Sequence, residues 1–102
     1  MAINKLKVVL SFLREINDGN IPCAADYQLT NNEFWDIIDA CQDDGLIKDA
    51  DIIDVNFGGR QIIRCDIEHV KLTIRGLEHL NENSLAMKTY KGLKEVRSWL
   101  PF

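Results

Sequence analysis

Along the first twenty residues the apolar positions recur with the period of a helix. In NKLKVVLSFLREINDGN, Leu6, Val9, Leu10, Leu13 and Ile16 fall on one 3.6-period face, and Gly19 supplies a stop. Pro22 separates this helix from a short helical turn around AADYQ. Thr30 then opens LTNNEFWDIIDACQDDGLI as an N-cap, and Glu33 three residues on completes a capping box. Phe34, Ile37, Ile38 and Cys41 form the inner face of that helix, and Gly45 suits the left-handed position that ends it.

After residue 50 a hairpin follows, IIDVNFGGRQIIRCDI, turning at Gly58-Gly59. An odd-length loop pairs odd positions with odd positions. That register places Ile53, Val55, Ile63, Cys65 and Ile67 on one buried face, whereas an even loop scatters them over both. Thr73 caps a helix carrying Ile74, Leu77 and Leu80. A last helix over 84–100 presents Met87, Tyr90, Leu93, Val96 and Leu100 inward, with Lys88, Lys91 and Lys94 on another side. It is expected to pack against the first helix, with Trp99 near the C-terminal edge. The predicted class is α+β: a helix-turn-helix core, a two-stranded hairpin wing and two C-terminal helices, forming one winged-helix domain over 1–102 with the acidic third helix in the recognition position.

The opening NKLKVVLSFLREINDGN, the block LTNNEFWDIIDACQDDGLI, the segment LTIRGLEHLNENS and the closing YKGLKEVRSWL resemble the YjcQ-like family of small bacterial and phage proteins. The likeness runs over nearly the whole chain, although its LTxxGLxxL portion also follows the wing in other winged helices. This resemblance implies a winged-helix fold and frequent carriage by phages and prophages. It implies no activity and no site residues.

Composition narrows the function by exclusion. At 102 residues the chain has one core, and 46% apolar with 27% charged residues is an ordinary globular balance. No apolar run approaches the ~18 residues needed to span a bilayer, and no signal peptide precedes the fold, so a cytoplasmic protein without membrane association is expected. Cys23, Cys41 and Cys65 form no close pair and read as reduced, mostly buried thiols. The sequence has no nucleophile elbow, phosphate loop or HExxH, and His69 and His79 have no predicted nucleophile beside them. A non-enzymatic protein with no cofactor is expected. Cys65 and His69 are four apart but straddle a strand end, and the Asp39–Asp44 acid run lacks the glycine of a calcium loop, so no metal is expected either.

Charge is what separates the remaining readings. The net charge is −4, with four basic and nine acidic residues in 1–50 (−5) and eight basic and seven acidic in 51–102 (+1). The third helix holds Asn32, Asp36, Asp39 and Asp43 on its outer face and contains no Lys or Arg. A helix that reads the major groove approaches two phosphate backbones. Each pair of like charges ~6 Å apart costs ~0.7 kcal/mol even in water. Asn31 and Asn32 suit adenine, but two amides do not offset the acids. Trp35, between the inner and acidic faces, has the composition of a half-covered anchor in a protein-binding patch; it also suits packing on the short second helix near Tyr27. The expected function is therefore binding of a basic or nucleic-acid-binding protein through Asn32, Trp35, Asp36, Asp39 and Asp43, with inhibition of a nucleic-acid-binding surface as one concrete form. The alternative is a DNA-binding regulator that uses Arg60 and Arg64 of the wing with Lys88, Lys91 and Lys94 of the last helix. Arg64 also suits a cross-hairpin pair with Asp54. Either function is compatible with a monomer or a homodimer.

Overall fold

The computed structural model describes residues 5–55 and 61–83. Helix α1 (Lys5–Asn17) leads to a single 3-10 turn (Ala24–Tyr27) and helix α2 (Asn31–Asp43). Strands β1 (Ile47–Lys48), β2 (Asp51–Val55), β3 (Gln61–Asp66) and β4 (Lys71–Leu72) precede helix α3 (Ile74–Glu82). This α+β order, helices followed by a hairpin and a further helix, is compatible with a winged helix. The expected pairing is present between β2 and β3. A second, two-residue antiparallel ladder joins β1 to β4, Ile47 opposite Leu72, at the base of the hairpin.

Local chemistry sets the helix ends. At the start of α2 the Thr30 hydroxyl accepts from the Glu33 N–H at 3.2 Å, and the Glu33 carboxylate accepts from the Thr30 N–H at 3.0 Å. Those bonds favour the ionised carboxylate and hold Glu33 below the usual glutamate range, the backbone amide of Thr30 having the larger effect and its hydroxyl the next. Both long N-terminal helices close with a Schellman motif. Gly19 (φ +88°) donates to Ile16 O and Asn20 to Glu15 O; Gly45 (φ +75°) donates to Gln42 O and Leu46 to Cys41 O.

The core is built around α1 and α2. Phe34, Ile37, Ile38 and Cys41 are buried as their spacing predicts. Leu10, Leu13 and Ile16 are buried too, but Leu6 is 56% exposed, and Val8, Phe12, Ser11 and Glu15 are buried beside them. A stripe drawn for one packing partner is therefore too narrow: α1 packs against α2, β4 and α3 and is covered over most of its circumference. Phe12 stands edge-on to Phe34 (centroids 5.8 Å apart), and Tyr27 lies tilted against the same ring at 6.0 Å. The buried Tyr27 hydroxyl is hydrogen-bonded to Ser11 Oγ at 3.1 Å.

The hairpin corrects the expected buried face. Val55 pairs with Gln61 and Asp54 with Ile62, the odd-loop register, but Ile53 pairs with Arg64 and Ile52 with Cys65. Ile63 is an extra residue, a β-bulge, and beyond it the two strands change phase. Ile62 is consequently buried at 6%, while Ile53 and Ile63 are 50% and 52% exposed. Cys65 and Ile67 do pack on the core, half-buried. The same register sets Arg64 across from Ile53 and Asp54 across from Ile62, so Arg64 and Asp54 are not cross-strand partners.

Helix α3 is fixed at its first turn. The Thr73 hydroxyl donates to the Gly45 carbonyl and accepts from the Gly76 N–H at 3.0 Å, and the Thr73 N–H donates to Leu46 O at 3.1 Å. Gly76 is buried against this turn: a Cβ there would come within 2.2 Å of Leu46 O. Of the three apolar residues expected along α3, Leu80 packs on the core, whereas Ile74 and Leu77 are 77% and 46% exposed. Arg60 and the Gly58-Gly59 turn, the side chain of Val55, and the expected last helix with Lys88, Lys91, Lys94 and Trp99 lie outside the described residues.

Candidate functional site: the outer face of the third helix

Helix α2 turns one stripe into the core and the opposite stripe outward. At 100° per residue, Asn32, Asp36, Asp39 and Asp43 fall within an arc of about 60°. Asn32, Asp36 and Asp43 are exposed, Asp39 is half-exposed, and α2 contains neither Lys nor Arg. The acidic face of the sequence is thus one continuous surface. Trp35 lies on its flank, half-buried and packed against the core, which leaves part of the indole available beside the carboxylates.

Tertiary packing places the hairpin along one side of this face. Helix α2 lies against β3. At the C-terminal end of the helix the Gln42 side-chain amide clamps the start of β2, donating to Ala50 O at 3.2 Å and accepting from Ala50 N at 2.9 Å. This pair of bonds is that of a strand neighbour, supplied by a side chain. It follows directly on Asp49, whose φ of +66° turns the chain from β1 into β2.

Cys65 marks the junction between helix and hairpin. Its thiol is pushed up to about 11, first by burial and then by the negative charges of Asp39 and Asp66. Two carboxylates from different elements, α2 and β3, therefore act on one sulfur. At the base of the hairpin Asp66 pairs directly with Asp51, and like charges facing each other across a ladder are unfavourable. Sequence reasoning missed the pairing of Asp51 with Asp66, because it depends on the bulged register and no local signal encodes that. Cys41, deeper in the helix, is pushed up to about 12 by burial and then by Asp44. Both thiols stay protonated at neutral pH and are poor nucleophiles or metal ligands. Of the three thiols, expected to be mostly buried, Cys23 is exposed.

Among the described residues no group of three or more His, Cys, Asp or Glu is arranged to hold a metal ion. No helix among them is long and apolar enough to cross a membrane. Arg64, the one member of the alternative basic site within the described residues, is exposed on the outward side of the hairpin.

Comparison with known proteins gives a family. The family described as "YjcQ protein" matches residues 9–99. Over 104 aligned residues the chain is 30% identical to a Bacillus subtilis (strain 168) protein described as "Uncharacterized protein YjcQ", covering 96% of this chain and 99% of that one. No solved structure matches.

Proposed function

This chain belongs to the YjcQ family, and for it we propose a non-enzymatic winged-helix module that binds a basic protein through the outer face of α2. The observation that carries the reading is α2 presenting Asn32, Asp36, Asp39 and Asp43 outward, with Trp35 half-covered beside them and no basic residue in the helix. Such a surface repels phosphate and attracts cations. The carboxylates supply fast association and orientation, and Trp35 supplies desolvated contact area. Asp51 and Asp66 widen the negative field on the hairpin side.

A specific form of this function is inhibition of a nucleic-acid-binding protein. Along the axis of α2, positions 36, 39 and 43 are spaced by about 4.5 and 6 Å, a ladder of negative charge on a rigid support. Carriage by phages and prophages, which the family resemblance implies, suits an inhibitor directed at a host protein.

The test compares the wild-type chain with an Asp36→Lys/Asp43→Lys double variant, each immobilised and exposed to host lysate. A basic protein retained by the wild type and lost by the variant is expected, with both chains melting at the same temperature. Equal retention by the two overturns the reading. So does tight binding of duplex DNA by the wild type at physiological salt that Arg64→Ala weakens, since DNA recognition through the wing would then account for the module.

A further inference from the structure

The acidic face does not end with α2. Asp43 closes its outward stripe, and Asp44, the next residue and also exposed, lines an open cleft between the C-terminal end of α2 and one side of α3. Leu46 and Ile74 are the aliphatic side chains in the lining of this cleft, and Glu78 and Glu82, one turn apart on α3, add two carboxylates to it. Ile74 is 77% exposed, a large aliphatic side chain left in water at the edge of a charged depression. Arg75 and His79 also line the cleft. With His neutral the lining carries three negative charges against one positive, so the cleft remains net negative.

Electrostatics at the end of the helix point the same way. The C-terminus of a helix carries partial negative charge and is normally matched by a basic residue in its last turn. Helix α2 has none there; it has Asp43, with Asp44 as its C-cap. The site thus joins a helix end with no basic residue of its own, three carboxylates and exposed aliphatic surface; among the described residues the one cation beside that end is Arg75 of α3, next to Gly45. The side chain that fits is a long cation with an apolar stem, or a cation next to an apolar residue: an Arg or Lys whose methylenes cover Leu46 and Ile74 while its head lies among Asp44, Glu78 and Glu82.

From this complementarity we infer that the basic partner of α2 continues around the C-terminal end of the helix and sets an Arg- or Lys-containing apolar segment into the cleft between α2 and α3. The inference rests on the proposed partner binding by α2 and adds a second contact region and a sequence character for the partner. Pure polycation chemistry is not enough for it, because part of the lining, Leu46 and Ile74, is aliphatic.

The experiment titrates the full 15N-labelled chain with two synthetic twelve-residue peptides, one alternating arginine and leucine and one of lysine alone. The expected result is that the arginine–leucine peptide shifts the amides of Leu46, Ile74 and Glu78 as well as those of 32–43. Glu78→Lys and, separately, Ile74→Ser should each remove the cleft shifts, leave those of 32–43 in place and raise Kd about tenfold. Both substitutions are at exposed positions, and a thermal melt of each variant checks that the fold is retained. Shifts confined to 32–43, with Kd unchanged by Glu78→Lys, overturn the cleft while leaving the α2 reading intact. Equal cleft shifts with oligolysine also overturn it, because the aliphatic lining would then contribute nothing. No shifts at either region remove both.

Discussion

Gly76 shows how much one residue can decide in a domain this small. Its missing side chain lets α3 sit against the α2–β1 turn, with Leu46 O only 2.2 Å from where a Cβ would be and Leu72 Cγ 3.1 Å away. The first of these is a backbone atom and cannot rotate aside. Gly76→Ala should therefore destabilise the chain by about 1–3 kcal/mol, read from the urea midpoint, even though alanine is the better helix former. A midpoint equal to or above wild type would show that α3 does not dock so closely. The cysteines give a second test at this scale. Cys23 should react with a thiol reagent under native conditions, whereas Cys41 and Cys65 should react only on unfolding, at least ~100-fold more slowly. Their pH dependence has a definite sign. Both thiols have folded values raised above the unfolded 9.0, to about 12 and about 11. The folded chain thus keeps protons that the unfolded chain has released. Their contribution is fully present below pH 9 and is lost as pH rises towards 11–12, so urea stability should fall across that window. Cys41→Ala should flatten the fall; an unchanged slope would mean that this thiol is not the source.

The hairpin is decided at the scale of the element. Ile62 and Ile63 are neighbours of the same type, and a strict two-residue alternation with the odd register makes Ile63 the buried one. The bulge reverses that. Ile62→Ala should cost about 2–4 kcal/mol, while Ile63→Ala at its half-exposed position should cost well under that, near ~0.5 kcal/mol. The reverse ranking would restore the simple alternation and remove the bulge. At the other side of the element, Gln42 substitutes for a strand neighbour of Ala50. Gln42→Ala leaves both polar groups of Ala50 without that partner and should loosen the hairpin locally. Faster amide exchange at Ala50, with little change at Phe34 or Ile38, is the expected signature.

For the whole molecule the distribution of charge matters more than its sum. Exposed or half-exposed carboxylates lie on α2, at the base of the hairpin, in the α2–β1 turn and on α3, and β3 carries one exposed cation, Arg64. Reversing Asp36 and Asp43 to Lys changes exposed positions and should shift stability by under ~0.5 kcal/mol each. The same change should raise affinity for non-specific duplex DNA, measured by anisotropy at low salt, and give it a steep salt dependence. If the variant binds DNA no better than wild type, α2 does not occupy a groove-facing position and its placement as the third helix of a winged helix loses its support.

The capped ends of the helices were legible in the sequence, because caps are local, whereas the short β1–β4 ladder was not. Thr30 with Glu33, Gly19, Gly45 and Thr73 each satisfy backbone groups within a few residues of themselves, so their chemistry does not depend on the rest of the fold. The inner face of α2 was legible for a similar reason: it has one packing direction, and one stripe describes it. The acidic outer face, being the complement of that stripe, came with it. Wherever a residue's environment is set by a distant segment, only the tertiary structure decided. Helix α1 is covered from several directions, so Val8 and Phe12 join the core while Leu6 does not. A single inserted residue in β3 exchanges the roles of Ile62 and Ile63 without altering the apolar pattern that was read. Asp39 acts on Cys65, and Asp44 lines one cleft with Glu78 and Glu82, only because packing brings separate elements side by side. Charge adds over whatever is near in space, whereas spacing in a sequence reports nearness only within one element.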